Sequence, residues 1–261
     1  MNTSKTKWNP EQYRLFEKER NLPFYDLIHL IQPQENMHIV DLGCGTGALT
    51  AILHQTFKNA TTLGIDNSPE MLLESSNYQI DRLHFNEMSI DNFQPHHKYD
   101  LIFSNACLQW LPDHPQLLSR LASYLSPHGQ FAFQLPAIFD YASHTIAQEL
   151  AEDPLFKEAG AVGLKPNILT VEEYAQLLYR LGFEKQIVRL QVYGHLLPST
   201  ESVVEWVKGS LLTYYQGQLS PEMFQEFLKI YRQRILEKFG NLSPFFIPFK
   251  RILIWAQKKA E

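Results

Sequence analysis

The sequence predicts an α/β protein: a doubly wound parallel sheet with a helical cap inserted before its last strand. Short apolar runs alternate with amphipathic helical patterns over residues 37–136, as in the βαβ units that build parallel sheets. A glycine-rich stretch at residues 43–47 lies between the first strand and the first helix of this series. After Pro136 the alternation stops, and helical patterns separate a strand at residues 184–197 from a final one at residues 249–257.

The elements of the sheet follow in order. Residues 8–31 carry a helical apolar pattern, which Pro23 is expected to divide in two because proline lacks a backbone N–H. Ser68 and Pro69 are the N-cap and first residue of a short helix, and residues 127–129 are expected to form a turn. Further helices are predicted at residues 48–57 and 113–125, and strands at residues 37–41, 61–66, 82–88, 99–105 and 130–135.

The second half of the chain is mainly helical in pattern. Residues 141–169 are irregular or helical, and a Thr-x-x-Glu capping box at Thr170 begins a helix that Gly182 ends. Two more helices are predicted at residues 199–212 and 220–239. The sequence therefore predicts three parts, which are an N-terminal helical lid (1–31), a ligand-binding core (32–197 and 248–261) and a helical cap (198–247).

Composition limits the class of function. The 261 residues include 23 Lys and Arg against 28 Asp and Glu, a net charge of -5, without a long basic run, which disfavours a nucleic-acid partner. The two cysteines, Cys44 and Cys107, form neither a disulfide framework nor a zinc motif. No signal peptide or membrane span is recognisable. We therefore expect a cytoplasmic monomer or weak dimer without a metal or a membrane partner.

The glycine-rich stretch is expected to form a ligand site. In an open parallel sheet, ligands bind at the carboxyl ends of the strands, where this stretch lies. Gly43, Gly45 and Gly47 allow a sharp turn and a close approach of the backbone to a ligand. The following helix directs its free N–H groups towards whatever is bound. A glycine turn without any ligand is the alternative.

The spacing of the glycines distinguishes between two kinds of ligand. Dinucleotide sites favour G-x-G-x-x-G, but Ala48 stands where that pattern requires its third glycine. Asp41 can accept a hydrogen bond from an ammonium group, while helix N–H groups hold a carboxylate. Asp66, at the end of the next strand, can accept hydrogen bonds from both hydroxyls of a ribose. These features favour S-adenosylmethionine over NAD, the cofactor of the least favoured alternative, an oxidoreductase.

The string Val40-Asp41-Leu42-Gly43-Cys44-Gly45-Thr46-Gly47, with Gly64-Ile65-Asp66, resembles the class I methyltransferases. Three further stretches are similar to the trans-aconitate 2-methyltransferases, and they are Trp8-Asn9-Pro10, residues 105–114, and residues 206–209 with 248–251. The resemblance implies a Rossmann-like, seven-stranded sheet with an antiparallel last strand, and S-adenosylmethionine as cofactor. The loop and the resemblance together predict the cofactor-binding residues Asp41, Gly43, Cys44, Gly45, Gly47, Asp66, Asn67, Met71, Ser89, Asn105 and Gln109.

The resemblance also implies methylation of a carboxylate oxygen of a small organic acid. A carboxylate is already ionised at neutral pH, so we expect positioning residues rather than a catalytic acid or base. The predicted substrate-binding residues are Trp8, Tyr13, Arg20, Trp110, Gln134 and Arg251. Arg20 has a surface salt bridge as its alternative role, and Arg251 a solvated position at a strand start. His114 is interpreted as part of a helix start rather than as a proton-transfer group.

Other functions remain open at this point. This sequence differs from the trans-aconitate methyltransferases at Ala137 and Ile138. It also has Thr213 where that family tends to have an arginine that could pair with a substrate carboxylate. One alternative is a malonyl-carrier-protein methyltransferase of biotin synthesis, or another small-molecule methyltransferase. A further alternative is a catalytically silent protein that binds S-adenosylmethionine.

Overall fold

The computed structural model describes residues 17–259, with side chains described from residue 21 onward. The described strands are β1 His38–Leu42, β2 Thr61–Asp66, β3 Leu83–Glu87, β4 Tyr99–Asn105, β5 Leu125–Pro136, β6 Phe183–Leu197 and β7 Phe245–Lys258. The described helices are α1 Glu17–Ile28, α2 Ala48–Thr56, α3 Pro69–Leu72, α4 His114–Ala122, α5 Ala142–Glu152, α6 Pro154–Glu158, α7 Val171–Arg180, α8 Glu201–Lys208, α9 Leu211–Gln216 and α10 Pro221–Phe239. Three 3-10 turns lie at Ser75–Tyr78, Ile90–Asn92 and Leu108–Trp110.

The seven strands form one sheet in the order β3-β2-β1-β4-β5-β7-β6. Strands β1 to β5 pair in parallel, whereas β7 runs antiparallel to β5. The strand order reverses between β1 and β4, so the carboxyl ends of these two strands border the crevice where such sheets bind ligands. The seven-stranded α/β sheet and its antiparallel last strand are therefore confirmed. Helices precede β7 as predicted, but there are three of them (α8, α9 and α10) where the sequence predicted two.

One buried strand and the ends of two helices agree with the sequence prediction. β4 is buried along most of its length, as expected for an inner strand of a parallel sheet. Ser68 caps α3, and its hydroxyl accepts a hydrogen bond from the backbone N–H of Met71. Thr170 and Glu173 form the predicted capping box of α7, and Gly182 follows that helix with a φ of 86°.

Four sequence-based boundaries need correction. Pro23 lies inside α1 and does not divide it, because the downstream residues Phe24 and Leu27 are packed in the core. Residues 127–129 lie within β5, where the pairing with β4 shifts register and bulges. The single helix predicted over 199–212 is two helices, separated at Gly209 and Ser210. The last strand begins at Phe245 rather than at residue 249.

The described residues form two compact units. The first comprises Arg20–Pro136, Asn167–Gln191 and the chain from Lys250 onward, and the second comprises Ala137–Pro166 and Val192–Phe249. The predicted cap of residues 198–247 lies within the second unit, which also includes residues 137–166. The three-part division made from the sequence stays a prediction.

Each unit has its own apolar core. The first is built around β1, β4 and α1, with Phe24, Leu27, Ile39, Leu101, Phe103 and Trp255. The second is built around α5, α8 and α10, with Ile146, Leu150, Trp206, Tyr215, Phe227 and Tyr231. Within residues 17–259, no helix combines the length and the apolar character needed to cross a bilayer.

Candidate active site

The loop from β1 to α2 makes a tight turn on three glycines. The φ angles of Gly43, Gly45 and Gly47 are 79°, 57° and 80°, values that favour glycine. Close neighbours exclude a side chain as well. A Cβ at Gly43 would lie 2.2 Å from Cys107 Sγ, and one at Gly47 would lie 2.8 Å from the ring of Phe85. The loop is therefore held against the residues that follow β4 and against β3.

Asp41 is a buried carboxylate next to the last residue of β1. Its Oδ2 accepts a hydrogen bond of 2.6 Å from the hydroxyl of Thr50 on α2. Its Oδ1 is buried and has no hydrogen-bond partner among the residues that the structure describes. Burial raises the pKa of Asp41 to about 7, the Thr50 hydrogen bond opposes this rise, and the charge of Asp66 adds to it. A buried acceptor without a partner is costly, so this oxygen is suited to a cationic donor from a ligand.

Asp66 ends β2 beside the same loop. Its Oδ2 accepts a hydrogen bond from the backbone N–H of Gly45, and its Oδ1 accepts one from that of Ser68, both 2.9 Å long. Because each carboxylate oxygen can accept more than one hydrogen bond, both retain capacity for a ligand. Burial raises the pKa of Asp66, and these backbone hydrogen bonds oppose the rise. Met71 also packs on the loop, since its Cε would lie 3.2 Å from a Cβ at Gly45.

Three predicted residues are joined by hydrogen bonds across β4, β5 and β7. The Nη1 atom of Arg251 donates to Gln134 Oε1 over 2.9 Å. Gln134 Nε2 in turn donates to Asn105 Oδ1 over 2.7 Å. Gln134 and Arg251 are 0% and 5% exposed, respectively. The solvated alternative for Arg251 is therefore wrong, and the side chain belongs to a buried polar group.

The turn that carries Gln109 and Trp110 is held by a buried histidine. His114 Nε2 lies 2.9 Å from the carbonyl oxygen of Leu108, and its Nδ1 lies 2.5 Å from the hydroxyl of Tyr174. The carbonyl can only accept, so Nε2 carries the proton and Nδ1 accepts from Tyr174. Burial lowers the pKa of His114, which keeps the ring neutral. Both ring nitrogens are thus used within the fold, in agreement with the structural interpretation of this residue.

Comparison with known proteins identifies the family. A family model described as a methyltransferase domain matches residues 33–182. The trans-aconitate 2-methyltransferase of Deinococcus radiodurans is 38% identical over 257 residues, which cover 96% of this chain and 98% of the relative. That of Escherichia coli O1:K1 is 36% identical over 253 residues, with the same coverage of 96% and 98%. The chain belongs to the trans-aconitate 2-methyltransferase family. It is thus an S-adenosylmethionine-dependent methyltransferase.

Solved structures show the same fold at much lower sequence identity. The YcgJ protein of Bacillus subtilis matches with a TM-score of 0.58 at 12% identity, over 92% of this chain and 99% of that protein. Phosphoethanolamine N-methyltransferase 2 of Haemonchus contortus, solved with S-adenosyl-L-methionine, matches with a TM-score of 0.56 at 14% identity, over 90% of this chain and 52% of that one. These matches confirm the predicted Rossmann-like fold of a class I methyltransferase.

The other predicted site residues of this methyltransferase have varied surroundings. Ser89 caps the 3-10 turn after β3 and accepts a hydrogen bond from the backbone N–H of Asn92. Gln109 donates through Nε2 to the carbonyl of Ala106, while its Oε1 is buried without a partner among the described residues. Cys44 is buried, and burial raises the pKa of its thiol. Asn67 is exposed, whereas Trp110 is half-buried. Trp8, Tyr13 and the side chain of Arg20 lie outside the described residues.

Sequence reasoning missed two residues that shape the site. Thr50 fixes Asp41, and the available signal was one hydroxyl within the otherwise apolar start of α2, nine residues after Asp41. Cys107 lies against Gly43, and only the pairing of β1 with β4 brings the two together. The first could have been found from helix periodicity, whereas the second depends on the strand order.

Proposed function

We propose that this chain transfers a methyl group from S-adenosylmethionine to a carboxylate oxygen of trans-aconitate or of a closely similar small acid. The observation that carries the proposal is the presence of two polar groups at adjacent strand ends. One is the Asp41 loop after β1, and the other is the hydrogen-bonded set of Asn105, Gln134 and Arg251 on β4, β5 and β7. The full-length similarity to enzymes named trans-aconitate 2-methyltransferase supports the same acceptor.

The residues of the glycine loop fit the cofactor. Asp41 Oδ1, which lacks a partner among the described residues, suits the ammonium group of its methionine part. The N–H groups at the start of α2 suit the carboxylate, and Asp66 suits the ribose hydroxyls. When bound, S-adenosylmethionine supplies a methyl group on a positively charged sulfur, ready for displacement by an oxygen nucleophile. Further cofactor contacts are proposed for Gly43, Cys44, Gly45, Gly47, Asn67, Met71, Ser89 and Gln109, whereas Asn105, also predicted from the sequence as a cofactor contact, is grouped with Gln134 and Arg251.

The acid needs positioning rather than activation. A carboxylate with an ordinary pKa of about 4 is ionised at neutral pH, so no general base is required. The contribution of this chain is then to hold the oxygen in line and to exclude water around the charged reactants. Gln134, Arg251 and Trp110 are the proposed acid-side residues of the described chain. Trp8, Tyr13 and Arg20 remain proposed contacts on sequence grounds alone.

We propose that the protein works in the cytoplasm as a monomer or weak dimer. Its partner is then a small molecule rather than a nucleic acid or a membrane. The net charge of -5 supports the absence of a nucleic-acid partner. Gel filtration coupled to light scattering measures the oligomeric state, and a stable higher oligomer contradicts this part of the proposal.

The test is a methyl-transfer assay with a panel of acceptors. Purified protein is incubated with S-adenosylmethionine and, in separate reactions, trans-aconitate, cis-aconitate, citrate, malonate and a malonyl-loaded acyl-carrier protein. We expect mass spectrometry to detect a monomethyl ester of trans-aconitate together with S-adenosylhomocysteine. Methylation of the malonyl-carrier protein alone contradicts the proposal and supports the biotin-pathway alternative. Cofactor binding without methylation of any acceptor supports the silent binding protein.

A further inference from the structure

Two hydrogen bonds link Arg251 to Gln134 and Gln134 to Asn105, and the donor of each is fixed. A guanidinium group can only donate hydrogen bonds, so Gln134 must turn its Oε1 towards Arg251. This leaves the Nε2 of Gln134 on the other side, where it donates to Asn105 Oδ1. The oxygen of Asn105 is thereby occupied, and its amide nitrogen remains. The charge at one end of the series thus determines which atom of Asn105 is available at the other end.

Asn105 lies at the ligand edge of the sheet. It is the last residue of β4 and faces Gln134 directly in the parallel pairing with β5. Two residues later, Cys107 packs against Gly43 of the cofactor loop. Asn105 is half-buried, whereas Gln134 is completely buried. None of the residues that the structure describes accepts a hydrogen bond from the Asn105 amide nitrogen.

We propose that Asn105 binds a carboxylate of the methyl acceptor through its amide N–H groups, and that Gln134 and Arg251 are positioning residues that fix the orientation of this amide. The inference rests on the proposed function, since it takes the acceptor to be a carboxylic acid. Gln134 and Arg251 then act on the acid through Asn105 rather than by direct contact.

A carboxylate is the group that suits this arrangement best. The hydrogen-bonded residues begin with the cation of Arg251 and end with the N–H donors of Asn105. The amides of Gln134 and Asn105 are therefore polarised so that the remaining N–H groups attract an anion. The donors are oriented before the ligand binds, so little reorganisation is needed when a charged oxygen arrives. On the cofactor side, Asp41 offers an acceptor to a cation. The two partners of the reaction therefore meet groups of opposite polarity.

Gln134→Glu is the variant that reverses the polarity without changing the shape. The new carboxylate can still accept from Arg251, but it can no longer donate to Asn105. Asn105 is then expected to turn its amide nitrogen inward and to present its oxygen to the acid. We expect calorimetry on protein loaded with S-adenosylhomocysteine to measure a roughly ten- to hundredfold weaker affinity for trans-aconitate. The affinity for S-adenosylhomocysteine is expected to stay unchanged.

Gln130→Glu is the matched control. Gln130 lies on the same strand, about 13 Å from Gln134 at 3.3 Å per residue, and it is fully buried as well. Its Oε1 accepts hydrogen bonds from the backbone N–H of Gln32 and from the indole of Trp255, which a glutamate retains. We expect this variant to lose some stability but to bind trans-aconitate as the unmodified protein does.

Two more variants test whether Gln134 acts through Asn105. If it does, Asn105→Ala and the double variant Asn105→Ala with Gln134→Glu bind trans-aconitate equally weakly. If Gln134 contacts the acid directly, the two effects multiply, and the inference is overturned. Asn105→Asp avoids a new buried charge, since position 105 is half-buried, and should also weaken acid binding at least tenfold. This variant keeps the inference testable if Gln134→Glu does not fold.

The outcomes separate this inference from the proposed function. Normal methyl transfer with unchanged acid affinity in Gln134→Glu and Asn105→Asp overturns the inference and leaves the proposed function intact. A loss of S-adenosylhomocysteine affinity in both variants overturns it as well, because Asn105 then serves the cofactor. If the Gln134 and Asn105 variants weaken the binding of trans-aconitate as expected, but the unmodified protein transfers no methyl group, the inference is supported and the proposed function is contradicted. No acid binding by the unmodified protein overturns both.

Discussion

The proposed cofactor side and the proposed acid side of the site differ in how far apart their hydrogen-bonded residues lie along the chain. On the cofactor side, which consists of β1, the glycine loop and β2, Thr50 bonds to Asp41 across nine residues. On the acid side, which consists of the ends of β4, β5 and β7, Arg251 bonds to Gln134 across 117 residues. One side is thus built from a single β-α-β unit, whereas the other depends on the whole order of the sheet.

The two sides also differ in the group that they offer to a ligand. The cofactor side has a buried carboxylate oxygen of Asp41 without a partner among the described residues. The acid side ends in the amide nitrogen of Asn105, with a buried arginine behind it. A cationic methyl donor and an anionic acceptor require this difference in polarity. We therefore expect substitutions on one side to affect one ligand and to leave the binding of the other unchanged.

The largest effect is expected from Gly43→Ala on the cofactor side. Alanine at this position needs a positive φ, and its Cβ would lie 2.2 Å from Cys107 Sγ and 2.4 Å from Cys107 Cβ. We expect a loss of roughly 3–5 kcal/mol in the free energy of unfolding, from overpacking and backbone strain together. Urea unfolding measures this loss, and S-adenosylhomocysteine binding should be abolished.

Gly182→Ala is the control for this substitution. Gly182 has a φ of 86°, but no atom lies within 4 Å of its added Cβ. We expect only the strain of about 1–2 kcal/mol and unchanged cofactor affinity. In the Gly43→Ala background, Cys107→Gly should recover the part of the loss that comes from the clash, whereas Cys107→Ala should not, because it keeps the clashing Cβ. Equal losses for the Gly43 and Gly182 variants would show that contact with Cys107 is unimportant.

The next effect tests the separation of the two sides. Asp41→Asn removes the negative charge that suits the ammonium group of the cofactor. We expect S-adenosylmethionine to bind roughly ten- to hundredfold more weakly, as for the loss of a charged hydrogen bond. At saturating S-adenosylhomocysteine, the affinity for trans-aconitate should not change. Calorimetry measures both affinities. A fall in the affinity for trans-aconitate alone would show that Asp41 serves the acid rather than the cofactor.

The same difference in distance explains what the sequence could predict. The glycine loop, Asp66 and the Ser68 cap depend on contacts within a few residues or within one β-α-β unit, so their spacing alone indicated them. The sequence also indicated Gln134 and Arg251, but not that Arg251 donates to Gln134 or that Gln134 donates to Asn105. That geometry depends on β7 lying beside β5, which no local pattern encodes. Pro23 was misjudged because the packing of Phe24 and Leu27 in the core overrode a local preference.

The pH dependence of cofactor binding should report on Asp41. Its pKa is raised to about 7 by burial, and the cationic ammonium group favours the ionised form. We therefore expect the affinity for S-adenosylmethionine to fall as pH drops below about 7, approaching tenfold per pH unit. Asp41→Asn should remove most of this dependence. An affinity for S-adenosylmethionine that stays constant from about pH 5 to about pH 8, a range that brackets this pKa, contradicts the role of Asp41.

Protein stability should show the opposite trend with pH. The folded-state pKa of Asp41 exceeds its ordinary value of 3.8, so the folded protein without ligand binds this proton more tightly than the unfolded chain does. This contribution to the free energy of unfolding is fully present below 3.8 and is lost as pH rises through about 7. Comparison of urea unfolding for the unmodified protein and Asp41→Asn isolates it from Asp66, whose pKa is also raised.

The smallest effect is expected for Thr50→Val, which removes only the hydrogen bond to Asp41. The variant keeps the shape of the buried side chain, so we expect a loss of about 1–2 kcal/mol in the free energy of unfolding. Because this hydrogen bond lowers the pKa of Asp41, its removal should also shift the pH midpoint of cofactor binding upward. Thr56→Val on the same helix removes an exposed hydrogen bond to the carbonyl of Ile52 and serves as control. If both variants lower stability equally and neither shifts the midpoint, Thr50 has no special role in holding Asp41.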